Sequence, residues 1–402
     1  MVHAGQNEPL AKLWDIDDEE IPKYLEIERT LINADKIINQ EPVNLGVAGT
    51  IFAGSYIDVK TNKTNINTVD QSKARNIINN SSVLKQYEEF ISIVIVKKSY
   101  DELKNLLNSI NELAKKREPF GIVVTLHVIN NEVIITSCNY NKRFLRDAEK
   151  MGAIIVSSTS CGQESHEDKE KDHKSKIFDE FDVDILVFGG DGLYIKHIDP
   201  DKPEKCSMGF WAICENNVNC VVTAGHCFYG YPPNTTIKTD CYYSGWSNEP
   251  SDQIIGKSAI YITTPCDLAI IDASDINENL KLRAAIRNTG SAYSELIIND
   301  GITVSTIGAH LCKSGYITHV SCGYLKALEG FVINVFGDWH ENMYFTSTPA
   351  TSGDSGSPLF SFSAINKVIL NGILAGTFGG DTTGFLILST IIEYAKLHPV
   401  TE

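Results

Sequence analysis

A serine flanked by glycines is the first feature of this sequence that could do chemistry. The segment Gly353-Asp354-Ser355-Gly356 holds it. A serine nucleophile needs a turn that exposes its hydroxyl, with backbone N–H groups that converge where an oxyanion forms, and flanking glycines permit that geometry. An ordinary turn between two strands would also fit the tetrapeptide. The segment therefore indicates a nucleophile only if the chain also supplies a base and an acid.

Two further segments supply these partners. An apolar run ends in small residues just before His226, and a rigid strand end suits a general base that must keep one orientation. Asp267 precedes another apolar run, and its carboxylate could accept the imidazole N–H and stabilise the imidazolium. Asp272, in the same run, is the rival acid. We predict an acyl-transfer site made of Ser355, His226 and Asp267.

The elements that must position these side chains are short strands. From about residue 185 to residue 399, short apolar runs alternate with Gly, Asn and Ser, and helical spacing returns only at Thr390–Leu397. This pattern is typical of an all-β barrel or sandwich, here closed by a short C-terminal helix.

The first part of the chain mixes two periodicities. Glu19–Ile38 and Tyr100–Lys116 keep the spacing of amphipathic helices, and residues 122–129 and 132–137 form a hairpin pattern around Asn130-Asn131. We therefore predict an α+β unit over residues 1–160. Residues 161–184 are densely charged and predict an exposed linker, and residues 185–402 form the second unit.

Composition excludes several functional classes. The formal net charge of -16 opposes binding to nucleic acid, and no apolar segment is long enough to cross a bilayer.

Eight of the ten cysteines fall between Cys206 and Cys322, which favours disulfides and an oxidising compartment, although buried free thiols are the alternative. No CxxC pair occurs, so we expect neither a metal nor a cofactor. The first residues show no signal-peptide pattern.

The three catalytic segments together resemble the chymotrypsin-like serine proteases, which share the chain order His, Asp, Ser. The likeness is to the bacterial branch that includes α-lytic protease and the streptogrisins. Gly189-Gly190-Asp191 and Cys206–Phe210 resemble the start of the mature enzymes, and Leu311–Gly315 with Ser321–Gly323 resembles a later conserved segment. The resemblance implies a double β-barrel, a secreted endopeptidase, and disulfides Cys206–Cys227 and Cys312–Cys322.

The same resemblance assigns supporting roles. It implies an oxyanion hole formed by the N–H groups of Gly353 and Ser355, and an ion pair between Asp354 and Lys313 that supports it. The implied substrate pocket contains no charge, which favours apolar side chains at the cleavage point; its residues are Pro349, Ala350, Thr351, Ser352, Ala375, Gly376 and Thr377. Four extra cysteines allow three pairings, of which the simplest is Cys214–Cys220 with Cys241–Cys266.

The first part has a weaker likeness to the pro region of these enzymes, carried by Phe52–Asp58 and the elements after it. This implies a precursor whose pro region assists folding and inhibits the enzyme until it is cleaved, with a product that begins near Ile185–Asp191. Its partners would be protein or peptide substrates and its own pro region. The alternatives are a catalytically silent homologue that binds peptides or a partner, and a stable latent precursor.

Overall fold

The structure, a computed structural model, describes residues 5–44, 48–137, 140–158, 184–196, 204–229, 239–246, 251–288, 290–379 and 382–402. We call residues 5–158 the N-terminal unit and residues 184–402 the C-terminal unit. The predicted linker lies outside the described residues, apart from Asp184. Within the described part of the chain, no helix combines the length and the apolar character that a membrane span requires.

The N-terminal unit is α+β, as the sequence predicts. Its helices are α1 (Pro9–Trp14), α2 (Ile21–Asn44), α3 (Ala48–Ile51), α4 (Gln71–Asn80), α5 (Tyr100–Arg117) and α6 (Lys142–Met151), with 3₁₀ turns at Asp18–Glu20 and Leu84–Phe90. Its strands are β1 (Phe52–Asp58), β2 (Lys63–Thr68), β3 (Ile91–Ile95), β4 (Ile122–His127), β5 (Glu132–Ser137) and β6 (Ile154–Ser157). Sequence patterns missed α1, α3, α4, α6, β2 and β6.

Local signals explain the elements that were predicted. Helix α5 begins with a capping box, in which the Ser99 hydroxyl accepts from the Glu102 N–H and the Glu102 carboxylate accepts from the Ser99 N–H. Strands β4 and β5 pair through a turn in which Asn131 takes a φ of 55°, a conformation that asparagine tolerates.

The C-terminal unit is built from strands, as predicted. They are β7 (Ile185–Gly189), β8 (Gly192–Ile195), β9 (Glu204–Ser207), β10 (Phe210–Cys214), β11 (Val218–Thr223), β12 (Asp240–Ser244), β13 (Ile254–Ile262), β14 (Leu268–Asp272), β15 (Leu280–Arg287), β16 (Glu295–Gly301), β17 (His310–Gly315), β18 (His319–Ala327), β19 (Gly330–Ile333), β20 (Trp339–His340), β21 (Met343–Thr346), β22 (Pro358–Ala364), β23 (Lys367–Thr377), β24 (Thr383–Ile387) and β25 (His398–Pro399). Helix α7 (Leu388–Ala395) is the predicted C-terminal helix, and 3₁₀ turns occur at Glu215–Asn217 and Gly225–Phe228.

All of these strands except β19 and β20 form two sheets, and apolar cores are packed against them. The first sheet has the order β25-β10-β11-β14-β13-β12-β8-β9. In the second, β22-β17-β18-β21-β24-β23 closes into a six-stranded barrel because β22 also pairs with β23. The two-barrel fold predicted from the resemblance is confirmed. The segments that carry His226 and Asp267 belong to the first barrel, and the Ser355 turn leads into the second.

The two units are joined by a shared sheet and by shared cores. Strand β4 pairs antiparallel with β19, so a five-stranded sheet β20-β19-β4-β5-β6 crosses the boundary. Gly330 makes this approach possible, since a Cβ there would lie 2.2 Å from the Val124 carbonyl oxygen. One apolar cluster likewise runs from α5 and β4 into the second barrel. The N-terminal unit is therefore packed against the barrels rather than tethered beside them.

A buried polar contact also links the units. Glu28 of α2 accepts from the His310 backbone N–H at 2.8 Å and faces the His310 imidazole Nδ1 at 2.5 Å. The Phe362 N–H donates to the other ring nitrogen of His310 at 2.8 Å. Both nitrogens are thus satisfied in a site that is almost fully buried, which fixes the docking of α2 on the second barrel.

Candidate active site

His226 is presented at the end of a buried strand. Strand β11 runs through the first barrel and ends three residues before His226, which lies in the 3₁₀ turn Gly225–Phe228. The predicted disulfide Cys206–Cys227 is confirmed and joins the residue after His226 to β9. The imidazole therefore projects from a backbone segment held on both sides.

Asp267 orients this imidazole. It is only 4% exposed, and its Oδ1 accepts from the His226 backbone N–H at 2.7 Å while its Oδ2 lies 2.6 Å from Nδ1. A carboxylate at Nδ1 favours the tautomer that carries its hydrogen there, which leaves Nε2 as an acceptor. The rival Asp272 lies at the far end of β14, where it accepts from the Ser274 N–H instead.

The structure brings Ser355 to the other side of the imidazole. Its Oγ lies 2.8 Å from Nε2 of His226, within hydrogen-bond distance. The turn requires its glycines, because Gly353 and Gly356 have φ values of 90° and 82°. At Gly356 a Cβ would also lie 2.1 Å from the Thr223 hydroxyl oxygen, so no larger residue fits.

Ser207 braces this turn, and sequence reasoning missed it. Its N–H donates to the Ser355 carbonyl oxygen at 2.7 Å, and its hydroxyl donates to the Gly353 carbonyl oxygen at 2.9 Å. Both carbonyls are thereby held toward β9. Within the described part of the chain, the N–H groups of Gly353 and Ser355 donate to no backbone acceptor, so they are available for an oxyanion. No motif marks Ser207; only its position beside Cys206 could have drawn attention.

A buried ion pair lies beneath the turn. The Lys313 Nζ and the Asp354 Oδ2 are 3.3 Å apart, and both side chains are fully buried. Asp354 also accepts from the backbone N–H groups of Ile317, Thr318 and Thr351, each at 3.0 Å. Burial lowers the pKa of Lys313 to about 8, although the charge of Asp354 opposes this shift. The predicted pairing is present, and it ties the turn to strand β17.

A polar wall beside His226 was not predicted. The Tyr229 hydroxyl donates to Asp338 Oδ2 at 2.5 Å, the Asn334 amide donates to the Tyr229 oxygen at 3.0 Å, and the Thr264 hydroxyl donates to Asp338 Oδ1 at 3.2 Å. Asn334 and Asp338 of this wall belong to the β19–β20 hairpin, the same hairpin that pairs with β4. It lines one side of a cavity of about 160 Å³ that reaches His226 and Asp267. Scattered Asn, Asp and Tyr residues carry no sequence signal for such a contact.

The predicted pocket residues are placed in two segments, Pro349–Ser352 before the nucleophile and Ala375–Thr377 at the end of β23. Of these, Ala375 reaches the cavity beside His226. Phe378 packs across Gly376 and Gly384, with ring atoms 3.6 Å and 2.5 Å from where a Cβ would stand. An aromatic ring thus occupies space that the two glycines leave open.

The remaining cysteines confirm two predictions and correct one. Cys312–Cys322 and Cys214–Cys220 are disulfides, but Cys241 and Cys266 are buried free thiols. The pairing of Cys241 with Cys266 was wrong because β13 separates their strands. Two strand spacings amount to roughly 9.6 Å, beyond the reach of a disulfide.

One group of residues has the types that bind metals. Cys206, Cys227 and His226 bring three potential ligand atoms within 4.8 Å of one another. The two sulfurs are bonded to each other, so neither is a thiolate, and both imidazole nitrogens face triad partners. The donor set does not fit a metal ion.

Comparison with known proteins agrees with this geometry. Residues 213–396 match the trypsin family, so the C-terminal unit contains a trypsin-family domain. The resemblance of the motifs to this family and the fold that it implies are therefore confirmed for the C-terminal unit.

The individual relatives share only a low sequence identity with this chain. Streptogrisin-C of Streptomyces griseus is 23% identical over 357 residues, covering 88% of this chain, and the chain spans 66% of the length of that relative. Among solved structures, the Nocardiopsis protease NAPase is 21% identical with a TM-score of 0.42, and Thermobifida fusca Protease A is 20% identical with a TM-score of 0.41. Each covers 54% of this chain and 100% of its own.

Proposed function

We propose that this chain is the precursor of a serine endopeptidase in which Ser355, His226 and Asp267 form the catalytic triad. The observation that carries the proposal is the continuous contact from Ser355 Oγ to His226 Nε2 at 2.8 Å and from His226 Nδ1 to Asp267 at 2.6 Å. Both distances suit proton transfer from serine to imidazole and stabilisation of the imidazolium that results.

The reaction is a double displacement. Ser355 Oγ attacks the peptide carbonyl while His226 takes its proton, and the N–H groups of Gly353 and Ser355 bind the oxyanion. His226 then gives the proton to the leaving amine, and the C–N bond breaks to leave an ester on Ser355. Water, deprotonated by the same imidazole, hydrolyses the ester and releases the acid product. Asp267 keeps His226 in the tautomer that both steps require.

The N-terminal unit is proposed as a pro region that inhibits the enzyme and assists its folding. Its last described residue, Ser158, lies against the segment after β23, with its Oγ 1.7 Å from where a Cβ on Gly379 would stand. Extended substrates pair with sheet edges of this kind. The N-terminal unit therefore blocks the approach until the chain is cut in residues 161–184, giving a product that begins near Ile185–Asp191.

We propose apolar specificity at the cleavage point, since none of the predicted pocket residues carries a charge. The Lys313–Asp354 ion pair beneath the turn is fully buried, and its two charges balance each other. Three disulfides among the described residues, with cysteines clustered around the triad, support an extracellular location.

Isolation of the active species tests the proposal. Its N-terminal sequence and mass should identify a fragment that starts near residues 185–191 and retains the disulfides, and a peptide library should be cleaved after apolar residues. Cleavage confined to basic residues would contradict the specificity. Activity in the intact chain, with the N-terminal unit attached, would contradict inhibition by the pro region.

A further inference from the structure

A large cavity lies where the two units meet, away from the triad. Its volume is about 370 Å³, within the range of small-molecule sites. Ile38, Phe52 and Leu126 line it from the N-terminal unit, and Ile307 and Leu328 line it from the C-terminal unit. A ligand whose apolar surface covers these walls removes them from water, which is favourable. The walls fit a compact apolar body.

One acidic side chain in the cavity wall lacks a counter-ion. Asp35 is 2% exposed, and the Ser55 hydroxyl donates to its Oδ1 at 2.5 Å. Of the described residues, none forms an ion pair with it. Burial raises the pKa of Asp35, and hydrogen bonds from Ser55, Thr306 and Asn39, together with the more distant charge of Lys36, oppose that shift. A buried carboxylate without a cation is unfavourable, so a cationic group delivered into the cavity is stabilised there.

The second acid in the wall differs from the first. Glu329 of the C-terminal unit is in contact with the Lys104 ammonium and accepts from the Tyr100 hydroxyl, so its charge is already balanced. Of these two acidic side chains in the lining, Asp35 is therefore the one that can pair with a cationic ligand. The Asn39 side chain beside it supplies a further polar group.

We propose that this cavity binds a small primary amine with an apolar body, its ammonium group on Asp35 and its body between the two units. Because both units line the cavity, the occupied form is the assembled chain. A ligand that binds only the assembled chain stabilises it by mass action and delays release of the N-terminal unit. The site does not depend on the catalytic role of Ser355.

The test uses the full chain with Ser355→Ala, which prevents self-cleavage, and two probes of nearly equal shape. 1-Naphthylmethylamine carries the ammonium group, and 1-naphthalenemethanol carries a hydroxyl in its place. Titration calorimetry should give one site per chain, with the amine bound at least about tenfold more tightly than the alcohol, as expected for a charge-assisted contact. The thermal midpoint should rise with the amine.

Two variants locate the binding site, and a third serves as their control. Asp35→Asn should reduce the affinity of the amine to that of the alcohol and leave the alcohol unchanged. Ser305→Trp, at the exposed edge of the lining, should exclude both probes, whereas Ile302→Trp, exposed in the same loop but outside the lining, should exclude neither. Absence of saturable binding, equal affinities for the two probes, or unchanged binding in Ser305→Trp would overturn the proposal. If Asp35→Asn does not fold, the two tryptophan variants and the comparison of the two probes still test the proposed site.

Discussion

Lys313 and Asp354 form a buried ion pair, and their pairing ties the turn that carries Ser355 to β17. A lysine without its ammonium charge would leave Asp354 buried beside the oxyanion hole with only neutral partners. The three backbone N–H groups and the Thr318 hydroxyl, all of which donate to Asp354, would then have to hold the carboxylate without a cation. The charge state of one lysine thus controls the geometry of the turn.

We therefore expect acylation of Ser355 to decline as the pH rises through about 8, where Lys313 loses its proton. Lys313→Met should acylate roughly 10- to 100-fold more slowly, as for other supporting contacts, and should lack this alkaline limb. The measurement is the pH profile of acylation for the cleaved enzyme and the variant. An unchanged profile in Lys313→Met would contradict the role of the pair.

The stability of the folded protein should rise with pH over the same range in which its activity falls. The pKa of Lys313 in the folded chain lies below the value of about 10.4 for an unfolded lysine. Between these two values the unfolded chain binds more protons, so this group makes the free energy of unfolding rise with pH. A loss of activity above pH 8 that is accompanied by a matching fall in thermal midpoint would therefore indicate unfolding instead.

Phe378 should limit the size of the residue accepted at the cleavage point, because its ring covers Gly376 and Gly384. Phe378→Ala should raise kcat/KM for large apolar residues relative to alanine by about tenfold, the scale that pocket volume typically controls. Tyr394→Ala, an exposed aromatic on α7 outside the lining of the cavity beside His226, is the matched control and should leave that ranking unchanged. Equal effects of both variants would contradict the assignment.

Among the elements, the 3₁₀ turn that holds His226 depends most on a covalent brace. Cys206–Cys227 joins it to β9, the strand whose Ser207 also holds the nucleophile turn. The brace therefore links the base to the nucleophile turn through Cys227, Cys206 and Ser207.

Replacing Cys206 and Cys227 by alanine should lower the free energy of unfolding by about 2 to 4 kcal/mol and slow acylation as well. Replacing Cys214 and Cys220 is the control, because that bridge closes a shorter loop at the far end of β11. The control should lose less stability, measured by denaturant unfolding, and should keep its acylation rate. Equal losses of acylation in the two pairs would show that the brace has no special role.

The sequence predicted those elements that carry a strong local signal. The three-to-four spacing of apolar residues predicted α5, the paired asparagines predicted the β4–β5 hairpin, and the flanking glycines predicted the nucleophile turn. Ser207, the Tyr229–Asp338 contact and the failed Cys241–Cys266 pairing depend on which strands lie side by side. Strand order is decided by packing over long sequence separations, and a single sequence has no local pattern for it.

At the scale of the whole molecule, the N-terminal unit supplies part of the environment in which the barrels are stable. Strand β4 extends the β19–β20 hairpin, and apolar side chains of both units share one core. Asn334 and Asp338 of this hairpin form part of the polar wall beside His226. Docking of the N-terminal unit therefore affects the shape of the site.

Refolding in two pieces should reveal this dependence. Residues 184–402 alone should regain acylation activity slowly, and residues 5–158 added separately should speed recovery and inhibit the product. Gly330→Ala should weaken binding of the added unit by about tenfold, equivalent to about 1.4 kcal/mol, since its Cβ would meet the β4 backbone. Inhibition assays measure the binding, and unchanged inhibition by the Gly330→Ala variant would contradict the β4–β19 contact.

Covalent labelling tests the central claim most directly. A fluorophosphonate should react with the cleaved protein at Ser355 alone, as located by peptide mass analysis, and should fail with Ser355→Ala. His226→Ala should reduce the rate of labelling by at least about a thousandfold, the scale of loss for a triad base. Absence of labelling in a folded, cleaved protein, or labelling that persists in Ser355→Ala, would contradict the assignment of this chain as a serine endopeptidase.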